Sequence, residues 1–180
     1  ITITGPVTLA PIYTADENTP YTVKHMKQKI NGDYELADTD NLTGTTDTEI
    51  TPSVKTYEGF TSPSTQTTTI SGDGHTLVTY NYTRNKYALT ITHPEYVEED
   101  KSGNYYYEEK VTLTAIDRQG YTFVGWYTGA SKISTDNPLT FTATESISYV
   151  AKFAPTYTIS VEYDNAKGTA AFVEQQQENE

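Results

Sequence analysis

Histidines, carboxylates, lysines and clustered tyrosines are the side chains of this sequence that could do chemistry, and their spacing limits what chemistry is open. His25, His75 and His93 stand far apart. No pair of them has metal-ligand spacing and no serine sits in a nucleophile elbow, so each reads as a surface or edge histidine. The run from Asp38 to Glu49 places Asp38, Asp40 and Glu49 at positions one, three and twelve of a calcium loop. Position five is Leu42, however, and the glycine comes one place late, at Gly44. The third ligand and the sharp turn are both missing, which leaves an acidic, solvated loop. Glu98-Glu99-Asp100 and Glu108-Glu109 flank a turn signal and read as solvated hairpin charges. Glycosidase chemistry needs two carboxylates on opposing walls of a cleft, and nothing in the sequence arranges them so. The chain has no Cys, which excludes thioester crosslinks, disulfides, zinc–thiolate sites and cysteine nucleophiles. A Lys–Asn isopeptide stays open for Lys24, Lys55, Lys110 and Lys152, all in or near expected strands; it would need a buried lysine, an Asn and an acid together. The reading is no enzyme, no metal and no cofactor.

Aromatic side chains offer contact rather than catalysis. Tyr96, Tyr105, Tyr106 and Tyr107 crowd around Ser102-Gly103-Asn104, and Trp126 and Tyr127 follow on the next expected strand. Tyrosine with Ser, Gly and Asn is the composition of binding loops, because a rigid amphipathic ring gives large contact area at low entropy cost. These six residues are the candidate partner-binding set. On a strand Tyr105 and Tyr107 share one face and Tyr106 takes the other, so at least one face must be buried. Two-sided packing in a thin-cored sheet is the competing reading.

The elements that would position these residues are strands. The 180 residues include 34 Thr and 16 Tyr, types that fit a pleated, half-buried surface, and only 35% are hydrophobic. The net charge of −12 opposes a phosphate backbone, so nucleic acid is not expected as a partner. No apolar run is long enough to span a membrane. Period-two alternation predicts strands at 21–27, 76–82, 87–92, 105–116, 121–127 and 147–153. Asn31-Gly32-Asp33, Gly72-Asp73-Gly74 and Ser102-Gly103-Asn104 should each join two strands. A short helix is conceivable near 50–57 or 131–136.

Repeats set the organisation. An alternating strand, a short polar link and a new strand opening on Tyr occur three times: at 7–24, 76–91 and 147–161. The opening residues Tyr21, Tyr87 and Tyr157 are 66 and 70 residues apart, and Gly59-Phe60-Thr61 is echoed by Gly120-Tyr121-Thr122. The expected division is a closing strand of a preceding repeat at 1–15, a first repeat at 19–84, a second at 86–154, and the opening of a further repeat at 156–180 with a frayed tail. Such a pattern fits a monomeric segment of a longer array. Within the second repeat, Phe123 and Trp126 are three apart and should point to opposite faces of a plain strand, one to the core and one to a junction or surface. Gly125 beside Trp126 marks a bulge or a close backbone approach.

The string Gly120-Tyr-Thr-Phe-Val-Gly-Trp-Tyr127, with Ile147-Ser-Tyr-Val-Ala-Lys-Phe153, resembles the Listeria–Bacteroides repeat, or internalin B-repeat family, over residues 86–154. The first unit is similar to a mucin-binding-protein repeat through Tyr21-Thr-Val-Lys-His25, Asn31-Gly-Asp-Tyr34, Lys55-Thr-Tyr-Glu-Gly-Phe60 and Tyr80-Asn-Tyr-Thr-Arg84. These resemblances imply a mainly β chain of tandem small β-grasp-like domains with little helix. They also imply a secreted, wall-attached adhesin of a Gram-positive bacterium, with a host glycoprotein (mucin or immunoglobulin) as partner or with a purely spacing role.

Overall fold

The computed structural model describes residue 5 and residues 12–164 and 169–174. The expected closing strand of a preceding repeat lies mostly outside those residues, as does the expected frayed tail beyond Glu174. The chain forms two compact units that divide between Asn85 and Lys86. The architecture is mainly β, and the longest helical piece among the described residues is one 3-10 turn, Pro94–Tyr96.

In the first unit, β1 (Thr19–Gln28) and β2 (Tyr34–Gly44) form a hairpin, with Gln28 opposite Tyr34. Gly32 supplies the positive φ of its turn, at 92°. Short strands β3 (Glu49–Ile50), β4 (Phe60–Thr61) and β5 (Thr68–Thr69) follow, then β6 (Thr76–Arg84). The main sheet runs β2-β1-β6-β4, and β1 and β6 pair in parallel, from Tyr21 opposite Thr76 to Lys27 opposite Tyr82. Parallel neighbours need a crossover, usually a helix. Here the crossover is residues 45–75, largely irregular, and it covers the face that carries Val23, Val78, Tyr80 and Tyr82.

The second unit repeats the plan. It contains β7 (Lys86–Thr92), β8 (Gly103–Tyr106), β9 (Lys110–Leu113), β10 (Tyr121–Thr128), β11 (Ser131–Ser134), β12 (Leu139–Thr142) and β13 (Ile147–Pro155). Its sheet runs β11-β10-β13-β7-β8, with β7 and β13 parallel. Leaving out β11, this is the strand order of the first unit. The shared landmark is equally exact in its bonding. Gly59 and Gly120 take φ of 74° and 76°, and their carbonyls accept from the N–H groups of Asn85 and Thr156 at 2.9 and 2.8 Å. The β9–β12 pair packs Val111, Leu113 and Leu139 against Leu89, Ile91, Trp126, Tyr149 and Ala151 of the five-stranded sheet. A further hairpin, β14 (Ile159–Asp164) with β15 (Thr169–Glu174), ends the described chain.

Several strand expectations change in detail. The run 105–116 is not one strand: a turn with Glu108 at φ 65° separates β8 from β9. Ser102-Gly103-Asn104 is not a hairpin tip. Gly103 and Asn104 open β8, and the connection from β7 passes through the 3-10 turn. Segment 131–136 holds β11 rather than a helix, and 50–57 holds the last residue of β3 and is otherwise irregular. Of the supposed loop at 38–49, residues 38–44 are the second half of β2. Phe123 and Trp126 do not face opposite ways. A bulge between Phe123 and Gly125 inserts one residue and returns both rings to the core side, where they meet edge to face with centroids 5.6 Å apart. Val124 is the inserted residue, and Gly125 beside it is the close approach, since at φ 144° a Cβ there would lie 2.5 Å from the Ser134 carbonyl oxygen.

Candidate functional site

Two clusters carry the polar chemistry of the chain. The first lies under the crossover of unit one. An irregular segment has no ladder of its own, so its backbone groups need side-chain partners. Tyr80 and Tyr82, on the covered face of β6, supply them. The Tyr80 hydroxyl donates to the Pro52 carbonyl at 2.6 Å, and the Tyr82 hydroxyl accepts from the Lys55 N–H at 2.7 Å. Tyr82 also meets His25 Nδ1 at 2.8 Å, and His25 Nε2 lies 3.1 Å from Asp40. His25 is therefore no surface or edge histidine: it is 0% exposed, set between the rings of Tyr80 and Tyr82. Its place on β1, two residues from buried Val23, is what puts it inside.

Lys55 closes the network by donating to Asp38 and to Asp40. These bonds hold both carboxyls below the usual carboxylate range. The Thr39 N–H assists at Asp38 and His25 assists at Asp40. The same bonds hold the Lys55 ammonium above the usual lysine range. An isopeptide needs a neutral, buried amine, so this geometry works against one at Lys55; Lys24, Lys110 and Lys152 are exposed. A carboxyl whose folded-state pKa is depressed stabilises the fold above its unfolded value, and that contribution is lost as pH falls through the folded value. Thermal unfolding of unit one should therefore move to lower temperature below about pH 4. A D38N/D40N chain should show a flatter profile; equal slopes for the two chains would separate the network from acid stability.

The second cluster is the aromatic set of unit two, which the fold disperses. Tyr105 lies opposite Tyr87 and packs against the core, its hydroxyl donating to the Lys101 carbonyl at 2.7 Å. Tyr96 packs against the core from the 3-10 turn, stacked on His93 and under the Arg118 guanidinium at 4.2 Å. Tyr107 meets Tyr87 edge to face. Trp126 is 0% exposed and its indole N–H donates to the Asp136 carbonyl at 3.0 Å, so it is core and cannot touch a partner directly. Tyr106 and Tyr127 alone among the six occupy the outer face of the five-stranded sheet, as their pairing with Lys86, Val150 and Lys132 dictates.

That outer face is read strand by strand from the register. It presents Lys132 on β11, Gly125 and Tyr127 on β10, and Ser148, Val150 and Lys152 on β13. Lys86, Ala88, Thr90 and Thr92 follow on β7, then Asn104 and Tyr106 on β8. None of these positions is acidic, although the chain carries twice as many acidic as basic residues, 24 against 12. The Lys86 ammonium lies 4.4 Å from the Tyr106 ring centroid; those of Lys152 and Lys132 lie 4.3 and 5.7 Å from that of Tyr127. This is hydrogen-bonding and cation–π surface, with no nucleophile or acid–base pair on it.

Residues 87–157 match the divergent InlB B-repeat domain. The match spans the five-stranded sheet and both strands that cover it, and it agrees with the internalin B-repeat resemblance carried by Gly120–Tyr127 and Ile147–Phe153. Such repeats are surface domains of bacterial surface proteins. Within the repeat the Gly-Trp-Tyr string now has a physical reading: a glycine at a close backbone approach beside the bulge, a core ring and an outer-face ring. No curated protein matches the chain. No helix among the described residues is long and apolar enough to cross a membrane. Of the outer-face lysines, the sequence singles out Lys152 only as an isopeptide candidate, and Lys86 and Lys132 not at all. Alternation alone could have placed Lys152 opposite buried Ala151, but its convergence with Lys132 on Tyr127 depends on the register shift between Trp126 and Tyr127 in the β10–β11 pair.

Proposed function

We propose that this chain is a non-catalytic repeat segment of a Gram-positive, wall-attached adhesin, and that it binds a host glycoprotein, mucin or secreted immunoglobulin. The observation that carries this reading is the outer face of unit two: its strand positions, as the register places them, include no carboxylate and bear Lys and Tyr in an otherwise acidic chain. In this reading unit one (19–84) is a mucin-binding-protein-type repeat, unit two (86–154) an internalin-type repeat, and 156–180 the opening of a further repeat. The chain acts as one monomeric link in a longer array.

A spacing role is the second reading, favoured by the strand order that the two units share once β11 is left out. The two readings part in a binding experiment with the whole 180-residue chain and a Y106A/Y127A chain on immobilised mucin and secretory immunoglobulin. Both tyrosines are half-exposed on the face away from the core, so the variant is expected to keep its fold and to bind at least about ten-fold more weakly. Binding unchanged by the double substitution removes this face from the proposal.

A further inference from the structure

The outer face has two aromatic–cation corners, and they are not equivalent. At one, Lys86 alone stands over Tyr106. At the other, Lys132 and Lys152, from strands on either side of β10, both approach the ring of Tyr127. By strand spacing the two corners are roughly 25 Å apart, too far to act as one site on a small ligand.

The pairing of two ammonium groups on one ring is the feature that needs a cause. Like charges brought together repel, and a chain with 24 carboxylates has many ways to pair them. Among the described residues no carboxylate is within ion-pair distance of Lys132 or Lys152. Among the described residues Lys29, Lys55 and Lys101 do pair with carboxylates. The nearby outer-face positions are Val150, Ser148, Thr92 and Gly125, none of them anionic. The ring supports both cations without neutralising either. Gly125 has no side chain between Lys152 and Lys132, and its φ of 144° keeps a side chain from being introduced.

We propose that Tyr127, Lys132 and Lys152 form a binding site for the anionic group of an acidic oligosaccharide, a sulfate ester or a sialic acid carboxylate. Two unpaired ammonium groups supply charge-assisted hydrogen bonds to the anion. Thr92 and Ser148, whose hydroxyls meet at 3.2 Å on the same face, flank it with groups that suit a hydroxyl-rich chain. A saccharide also explains how an acidic protein and an acidic ligand can associate. The net charge of −12 repels an acidic ligand, and a face whose strand positions carry no carboxylate lowers that repulsion locally. An acidic peptide shares the charge but gains nothing from the flat, hydroxyl-lined surface. This inference rests on the glycoprotein-binding reading above and gives it a ligand class.

The test is a nuclear magnetic resonance titration of the 180-residue chain with sulfated lactose, sialyllactose, lactose and an oligoglutamate peptide. Sulfated lactose or sialyllactose should shift the resonances of Tyr127, Lys132, Val150 and Lys152, with an affinity that weakens as salt is raised. A K132Q/K152Q chain, altered only at two exposed side chains, should bind at least about ten-fold more weakly while its other resonances stay in place. Four results would overturn the site: equal shifts with lactose, equal or tighter binding of oligoglutamate, shifts centred on Tyr106 and Lys86, or no shift with either acidic sugar at millimolar concentration. The wider reading fails separately. If K132Q/K152Q binds mucin as the parent does, the corner is wrong and the glycoprotein reading stands. If the acidic sugars bind at the corner while mucin does not, the corner stands and the glycoprotein reading falls.

Discussion

Replacement of Trp126 by Ala is expected to unfold the second unit. The indole is the largest fully buried side chain in the chain, and it touches both layers of its unit. Phe123 packs edge to face on it, and the Asp136 carbonyl that accepts its N–H lies in the turn before β12. A Trp-to-Ala change in a core costs about 3–5 kcal/mol, through lost transfer energy and the cavity left behind. A domain of this size without disulfides holds only about 3–5 kcal/mol in reserve. The loss is therefore comparable to the whole stability of the unit. Trp126 is the single tryptophan, so its fluorescence reports unit two in the parent chain but vanishes in the variant. Amide resonances of 87–153 are the suitable readout. They should collapse to unfolded positions in W126A, whereas dispersed resonances with a small loss of melting temperature would mean that the unit repacks around the hole.

A Tyr82-to-Phe substitution should be nearly as costly to the first unit, for a different reason. The ring stays, and with it the edge-to-face contact to Tyr57 at 4.8 Å. What goes is one oxygen with two partners, the Lys55 N–H and His25 Nδ1. Each buried polar group left without a partner costs about 1–3 kcal/mol, so the loss should reach about 2–4 kcal/mol. The crossover should also loosen locally. The Lys55 amide is bonded to this hydroxyl, and its hydrogen exchange should rise by at least about ten-fold, corresponding to about 1.4 kcal/mol of local protection. A fall in stability without faster Lys55 exchange would place the cost elsewhere in the unit. The comparison with Tyr57 is instructive, because its buried hydroxyl has no hydrogen-bond partner. Removal of that oxygen should leave stability unchanged or raise it.

The sequence made the repeated strand pattern legible because Tyr21 and Tyr87 open equivalent strands and Gly59 and Gly120 occupy equivalent positive-φ turns. The hairpin at Asn31-Gly32-Asp33 was legible for the same local reason, a turn whose chemistry sits in three adjacent residues. What stayed hidden depended on register. Phe123 and Trp126 share a face only because one residue bulges between them, and sequence marks the glycine without saying which way the count shifts. His25 is buried because its partners come from β2 and β6, 15 and 57 residues away in the chain. The candidate binding residues divided on the same grounds. Six aromatic positions were named from composition, and the pleat sends only Tyr106 and Tyr127 to the uncovered face. The lysines beside them, exposed and unremarkable in sequence, gain meaning from the strands that bring them to one ring.

The view of this segment as a binding repeat is tested most directly by an equilibrium isotherm of the 180-residue chain on immobilised mucin and secretory immunoglobulin, with surface plasmon resonance as the readout. Saturable binding that weakens as salt is raised, and that is lost in Y106A/Y127A, is the expected result. A flat response at micromolar chain on both surfaces would contradict it and leave the segment a spacer.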